Sequence, residues 1–160
     1  MGETGEQVLL DLLNSTPVTA TGTVDLVSDE WAAQRGGVGS GREVAHLRAV
    51  RDRLQAVVRA AEPATTLEPL LDGVRMLPGV DAAGLRWSLD VEDDRRLGTQ
   101  ALLAWGRLNE SMPGRLRPCA NDECRLFLLD RSHANSARWC SMKVCGNRMK
   151  ARRHYRRNQA

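Results

Sequence analysis

The chain has 160 residues, enough for one modest domain and a small module. It holds no run of eighteen apolar residues, which excludes a helical membrane span. The formal net charge of +3 is unevenly spread: residues 117–160 carry eleven Lys or Arg against three acids, a net of +8, and residues 1–116 carry twelve against seventeen, a net of −5. An acidic body with a basic end concentrates polyanion binding in the C-terminal segment. Residues 1–16 have neither the basic start nor the apolar core of a signal peptide, so a cytoplasmic setting is expected.

The apolar residues Val8, Leu9, Leu12 and Leu13 predict a short helix over 6–14, ended by Pro17 and the TATGT run. Asp11 and Asn14 fall three apart on one side of it: a solvated edge with a C-terminal cap, or part of a small polar pocket. Residues 25–34 predict a second short helix, with Asp29 as its cap and Trp31 turned inward. The glycines at 36, 37, 39 and 41 form a loop that lacks the lysine–serine or lysine–threonine ending of a phosphate loop.

Residues 42–61 predict the longest helix of the first half, with Val44, Leu47, Val50, Leu54, Val57 and Val58 on one face. Arg48 and Arg51 share a side, to be solvated, paired with acids, or offered to an anionic effector. A further helix is expected over 66–77, stopped by Pro78-Gly79, and 85–91 alternates as a strand whose partner falls around 77–80. Glu92, Asp93 and Asp94 point in different directions on a helix and suit its N-terminal dipole better than a metal. The helix that they open runs over 94–112 and reaches a break at Pro113-Gly114.

Beyond the break lie the only four cysteines, Cys119, Cys124, Cys140 and Cys145, spaced C-x4-C-x15-C-x4-C. Two thiolate pairs suit one tetrahedral zinc ion. Two disulfides would need an oxidising compartment, and four free thiols fit poorly in the polar RPCANDEC setting. Iron takes similar ligands, but a tetrathiolate in a basic module points to structural zinc. Ser141 is placed to cap a helix from Met142, and Cys145 then lies near its N-terminus, which favours a thiolate. Lys143, Arg148, Lys150, Arg152, Arg153, Arg156 and Arg157 follow with no acid among them, together with Asn147, which can read adenine, cap the helix or bond a thiolate. These eight residues are the candidate nucleic-acid contacts. Leu126–Leu129 supplies an apolar strand over the metal, Asp130 is expected to hold an arginine, with Arg148 the candidate, and Trp139 is expected to pack rather than stack on bases. His46, His133 and His154 are scattered, no serine sits in a nucleophile elbow, and four thiolates leave zinc no open position, so no enzyme is expected.

The stretch RWCSMKVCGNRMKARRH, with LRPCANDECRLFLLDRS before it, resembles the CGNR zinc finger, named for the residues found here as Cys145, Gly146, Asn147 and Arg148. The resemblance is tight over residues 116–157 and looser before them, where LLDLLNS and the LRAVR of 47–51 are similar to the helical ABATE domain that usually precedes this finger. The family often has two arginines before the tryptophan; here the first is Ala137. The resemblance implies a stress-induced transcriptional regulator. The expected fold is therefore mainly α with a small β element (α+β): a helical, ABATE-like domain over 1–113 for effector binding or dimerisation, then a zinc finger over 114–160 ending in a basic helix. The expected function is zinc-dependent, duplex-DNA-binding transcriptional regulation; RNA binding and a protein-interaction module are the alternatives. The expected cofactor is one structural zinc ion. Asp11, Asn14, Arg48 and Arg51 are the candidate effector residues, because they are polar and lie on the two helices where the N-terminal resemblance is clearest. A small-molecule effector and a homodimer are possible partners, and no membrane is expected.

Overall fold

A computed structural model describes residues 5–158. Three helices form the body: α1 (Gly5–Leu13), α3 (Gly41–Val58) and α4 (Asp93–Ser111). Both α1 and α3 pack on α4. Their buried faces follow the helical period: Val8, Leu9, Leu12 and Leu13 from α1, Leu47, Val50 and Leu54 from α3, Leu97, Ala101 and Leu108 from α4. A Cβ at Gly98 would lie 2.8 Å from the His46 ring, so glycine lets α3 and α4 approach at that level.

The second helix is shorter than its sequence pattern indicates. α2 spans Asp29–Gln34, and its cap is Ser28, whose hydroxyl accepts from the Trp31 N–H at 3.1 Å. Asp29, the expected cap, lies in the first turn beside Glu30, where both acids complement the helix dipole. Asp25 is outside the helix because it has other work: it receives Arg48 and Arg51 from α3. The start of α3 is fixed by Ser40, which accepts from the Glu43 N–H, while the buried Glu43 carboxylate accepts from the Gly39 N–H at 2.7 Å.

The helix expected over 66–77 does not form. Residues Ala64–Leu71 make a 3-10 helix that contains Pro69, and the chain then turns at Gly73 (φ 73°) into a strand. Proline has no N–H to donate and its ring crowds the preceding turn, so the apolar pattern there cannot be continued as an α-helix. Pro78-Gly79 lies inside strand β3 (Arg75–Asp81), which pairs antiparallel with β4 (Gly84–Asp90). This register puts Met76, Pro78 and Val80 opposite Leu89, Trp87 and Leu85 on one face of the ribbon. That face is largely solvent-exposed, with Val80 at 80% and Trp87 at 59%. A shorter pair, β1 (Val18–Thr19) and β2 (Gly22–Thr23), closes a surface turn after α1.

The C-terminal segment begins after Gly114 (φ 72°). Strands β5 (Leu116–Pro118) and β6 (Phe127–Leu129) pair antiparallel and lie against α3 and α1 respectively. Phe127 is 2% exposed and shares the core of the helical body, with Leu116 and Leu129 packed beside it. Asn14, at the end of α1, clamps the Phe127 backbone on both sides: its Nδ2 donates to Phe127 O at 3.2 Å, and Phe127 N–H donates to its Oδ1 at 2.7 Å. Arg59 adds a third link, donating to Arg125 O at 2.6 Å while its guanidinium lies 4.4 Å from the Phe127 ring centroid. The fold is thus mixed, mostly helical, with small β elements and a basic terminal helix, α5 (Asn147–Asn158).

Candidate metal centre and basic helix

The β5–β6 turn delivers the first cysteine pair. Cys119 follows β5, its N–H donating to Leu126 O at 2.8 Å across the turn, and Cys124 donates its own N–H to Asn121 O at 2.8 Å. The second pair flanks a widened turn. Ser141 accepts from the Val144 N–H, and residues Met142–Gly146 adopt π-helical geometry closed by Gly146 N–H donating to Ser141 O at 3.0 Å. A π-turn closes its hydrogen bond over five residues rather than the four of an α-helix. Cys140 and Cys145 are also five apart, and their sulfurs lie 3.7 Å from each other.

All four Sγ atoms fall within 4.8 Å of one another, with Cys124 and Cys140 at 3.6 Å. Zinc–sulfur bonds of about 2.3 Å in a tetrahedron give sulfur–sulfur edges of about 3.8 Å, so this spacing fits a single Zn2+. It is far from the ~2.0 Å of a disulfide, and all four cysteines are free. Residues Cys119, Cys124, Cys140 and Cys145 therefore form a cluster capable of holding one structural zinc ion.

The thiols are not equivalent. Burial pushes the Cys140 thiol far up, and the neighbouring thiols push it the same way. Burial also raises Cys124, against hydrogen bonds from Leu126 and Cys140. At Cys145, burial is outweighed by hydrogen bonds from Asn121 and the other three thiols, which hold it below the usual thiol value. Asn121 is fully buried; its Nδ2 donates to Cys145 Sγ at 3.4 Å and its Oδ1 accepts from the Glu123 N–H. This orienting residue was missed in the sequence, where Asn147 was a candidate thiolate partner. Asn147 instead donates from Nδ2 to Lys143 O at 3.2 Å. The visible signal was the Asn121-Asp122 dipeptide between the first two cysteines, a composition suited to a side-chain-closed turn.

Asp130 does hold an arginine, but it is Arg117 and not Arg148. The buried carboxylate also accepts the N–H groups of Ser132 and Ala137, each at 2.8 Å. Hydrogen bonding from Ser132, above all, keeps the Asp130 carboxyl below its ordinary range. Arg117 spans the same loop, donating to Ala137 O at 3.1 Å and Asn135 O at 3.2 Å. Together they shape the irregular 131–139 segment that leads to Trp139 and Cys140. Arg148 lies on another face, near enough to Glu123 to lower that carboxyl slightly, after the direct hydrogen bond from Arg152.

The cations of α5 divide by helical period. Arg152 pairs with Glu123. Met149, Arg153, Arg156 and Arg157, at i, i+4, i+7 and i+8, face a groove shared with Ala120, Arg138 and Trp139. Lys143, Asn147, Arg148, Lys150, Arg153, Arg156 and Arg157 are exposed. Among the described residues no acid lies in ion-pair contact with Lys143, Lys150, Arg153, Arg156 or Arg157. Gly146 belongs to this assembly: a Cβ there would lie 2.9 Å from Met142 Sδ and 3.2 Å from Trp139 Cδ1.

Of the N-terminal candidates, Asp11 accepts two hydrogen bonds from Arg35 at 3.0 and 2.8 Å, and Asn14 is the clamp on Phe127. Arg48 and Arg51 converge on Asp25, at 3.0 and 2.6 Å, and Arg51 is buried. Arg48 and Arg51 are thus brought together; Asp11 and Asn14 each face a different partner.

Residues 115–158 match the CGNR zinc finger family. The match starts one residue after Gly114 and takes in both strands, all four thiols and α5. The C-terminal part of the chain is thus similar to a CGNR zinc finger, and it holds the four-thiol cluster capable of binding zinc. The helical body before it is consistent with an ABATE-like domain. No curated protein matches the chain.

Proposed function

We propose that the chain is a zinc-dependent, DNA-binding transcriptional regulator, with residues 1–113 as its body and 114–160 as its reader. One observation carries this reading: among the described residues, five cations of the finger have no acidic partner, whereas the arginines of the body are largely engaged. Arg35 is paired with Asp11, Arg42 with Asp94, and Arg48 and Arg51 with Asp25. Unneutralised arginine and lysine on one helix contact phosphates, and one or two of them reach base edges. Lys143, Lys150, Arg153, Arg156 and Arg157 are the principal contacts in this reading, Arg148 and Asn147 lie beside them, and Arg152 acts once released from Glu123. No helix among the described residues is long and apolar enough to cross a membrane, and we place the protein in the cytoplasm and on the nucleoid.

The test is selection of bound fragments from random duplex DNA by the full-length, zinc-loaded protein, with structured RNA as competitor. An enriched motif that resists the competitor supports the reading. A two-fold symmetric motif adds the homodimer, because paired half-sites mirror a two-fold protein. Loss of the bound DNA to RNA, or no enrichment above bulk charge binding, removes it. The small-molecule input keeps Asp11, Asn14, Arg48 and Arg51 as its residues. It requires that Arg48→Ala and Asp11→Ala alter an effector response and not only the melting temperature.

A further inference from the structure

The groove between α5 and the 131–139 segment is more than a basic surface. It encloses about 440 Å3, within the range of small-ligand clefts. Its half-buried part is apolar: Trp139, Met149 and Ala120. Its exposed part is cationic: Arg138, Arg153, Arg156 and Arg157. The Arg138 guanidinium lies over the Trp139 ring, 5.2 Å from its centroid, so a planar group that stacks on that face displaces or sandwiches an exposed arginine. The chain has only one tyrosine and one phenylalanine, and Phe127 is in the core. Tyr155 on α5 is exposed but does not line the groove, so Trp139 is the aromatic that the groove sets among these arginines.

We infer that this groove seats one unpaired nucleotide, its base on Trp139 and Met149 and its flanking phosphates on Arg153, Arg156 and Arg157. A regular duplex offers this groove phosphate and sugar, with its bases stacked inside; such a ligand leaves the apolar wall unfilled. A base released from the stack matches both halves of the groove, because every base has an apolar π-face and carries phosphate on its backbone. Trp139 is held for this by Gly146, which leaves room for the indole, and by the Asp130–Arg117 network that shapes the approach to it. The inference rests on the nucleic-acid reading above and narrows it: the finger prefers nucleic acid with an unstacked base to uniform duplex. DNA and RNA both offer such a nucleotide.

The test uses the full-length, zinc-loaded protein and fluorescence anisotropy on three labelled duplexes of equal length: fully paired DNA, DNA with one bulged thymidine, and the RNA counterpart of the bulge. One stacked base gives about tenfold tighter binding of a bulged duplex than of the paired one. Trp139→Leu is expected to remove that preference while leaving the fully paired affinity within about twofold, and Trp139→Phe to keep most of it. The tighter of the two bulged ligands identifies the polymer. A second readout needs no variant: 2-aminopurine at the bulge changes its emission when it leaves its neighbouring bases for the indole of the unaltered protein, so it holds even if Trp139→Leu loses zinc. Equal binding of paired and bulged DNA with unchanged 2-aminopurine emission overturns the inference and leaves the duplex reading standing. No binding to any of the three at low salt overturns both.

Discussion

Asn121 ties the two halves of the metal centre together, since it belongs to the first cysteine turn and donates to a sulfur of the second pair. Groups that orient metal ligands typically carry a 10–100-fold effect on affinity. Asn121→Ala is accordingly expected to weaken zinc binding by about that factor in a chelator competition, while Asn147→Ala, whose side chain caps Lys143 O, leaves it nearly unchanged. Asp25 plays the comparable part in the body. Burial raises its carboxyl, but the hydrogen bond and charge of Arg51, with Val27 and Arg48, more than offset this and hold it below the ordinary value. A lowered native value means that the stabilisation is complete above the usual carboxylate range, near pH 4, and is lost as pH falls through the native value. Asp25→Asn should cost about 1–2 kcal/mol at neutral pH, a figure kept modest by the partial exposure of Asp25, and the difference from wild type should shrink on acidification. Thermal melts of both proteins between pH 3 and 7 measure it. The four cysteines were legible because a thiolate set is written as a residue type at a spacing. Asn121 and the Asp130–Arg117 pair were not, because a hydrogen-bond partner is chosen by three-dimensional proximity.

Helices α1, α3 and α4 were legible from their apolar period, and β4 from its alternation, with β3 found where its partner was expected. The segment 64–81 was not, since Leu67, Leu70 and Leu71 fit a helical period that Pro69 prevents the backbone from completing. The basic run read as one set of seven cations, and the structure divides it into three on the Trp139 groove, Arg152 paired with Glu123, and Lys143, Arg148 and Lys150 exposed elsewhere. The role of Asn14 also appears only at this scale. It follows the last residue of α1 yet satisfies both backbone groups of Phe127 on β6, which is how the finger is fastened to the body. Asn14→Ala leaves that N–H and C=O unpartnered beside the core, and should cost about 1–3 kcal/mol in denaturant unfolding of the full chain. A loss below a few tenths of a kcal/mol would mean that water replaces the clamp without cost.

Across the whole molecule, an acidic helical body shares its core with a strand pair that bears two of the four thiols, and the chain ends in a helix on which, among the described residues, Lys150, Arg153, Arg156 and Arg157 have no acidic partner. Phe127 lies in the common core, so the strand pair that bears the first cysteine turn is fastened to the helical body. The sequence placed a boundary at Pro113-Gly114 but gave no sign that Phe127, Leu116 and Leu129 would join the body's hydrophobic cluster across it; a long-range contact leaves no local periodicity. The central claim is that this metal-fixed helix binds the phosphate backbone through its free arginines and lysines. The most direct measurement is the anisotropy of random-sequence duplex DNA with the zinc-loaded full chain as salt is raised. Log K should fall linearly with log salt, by about 0.9 per phosphate neutralised, and the combined R153Q/R156Q/R157Q change should reduce the slope by about 2–3. Chelation of zinc should abolish the salt-dependent binding. A flat salt dependence, a slope indifferent to the three arginines, or binding that survives removal of the metal would contradict the account.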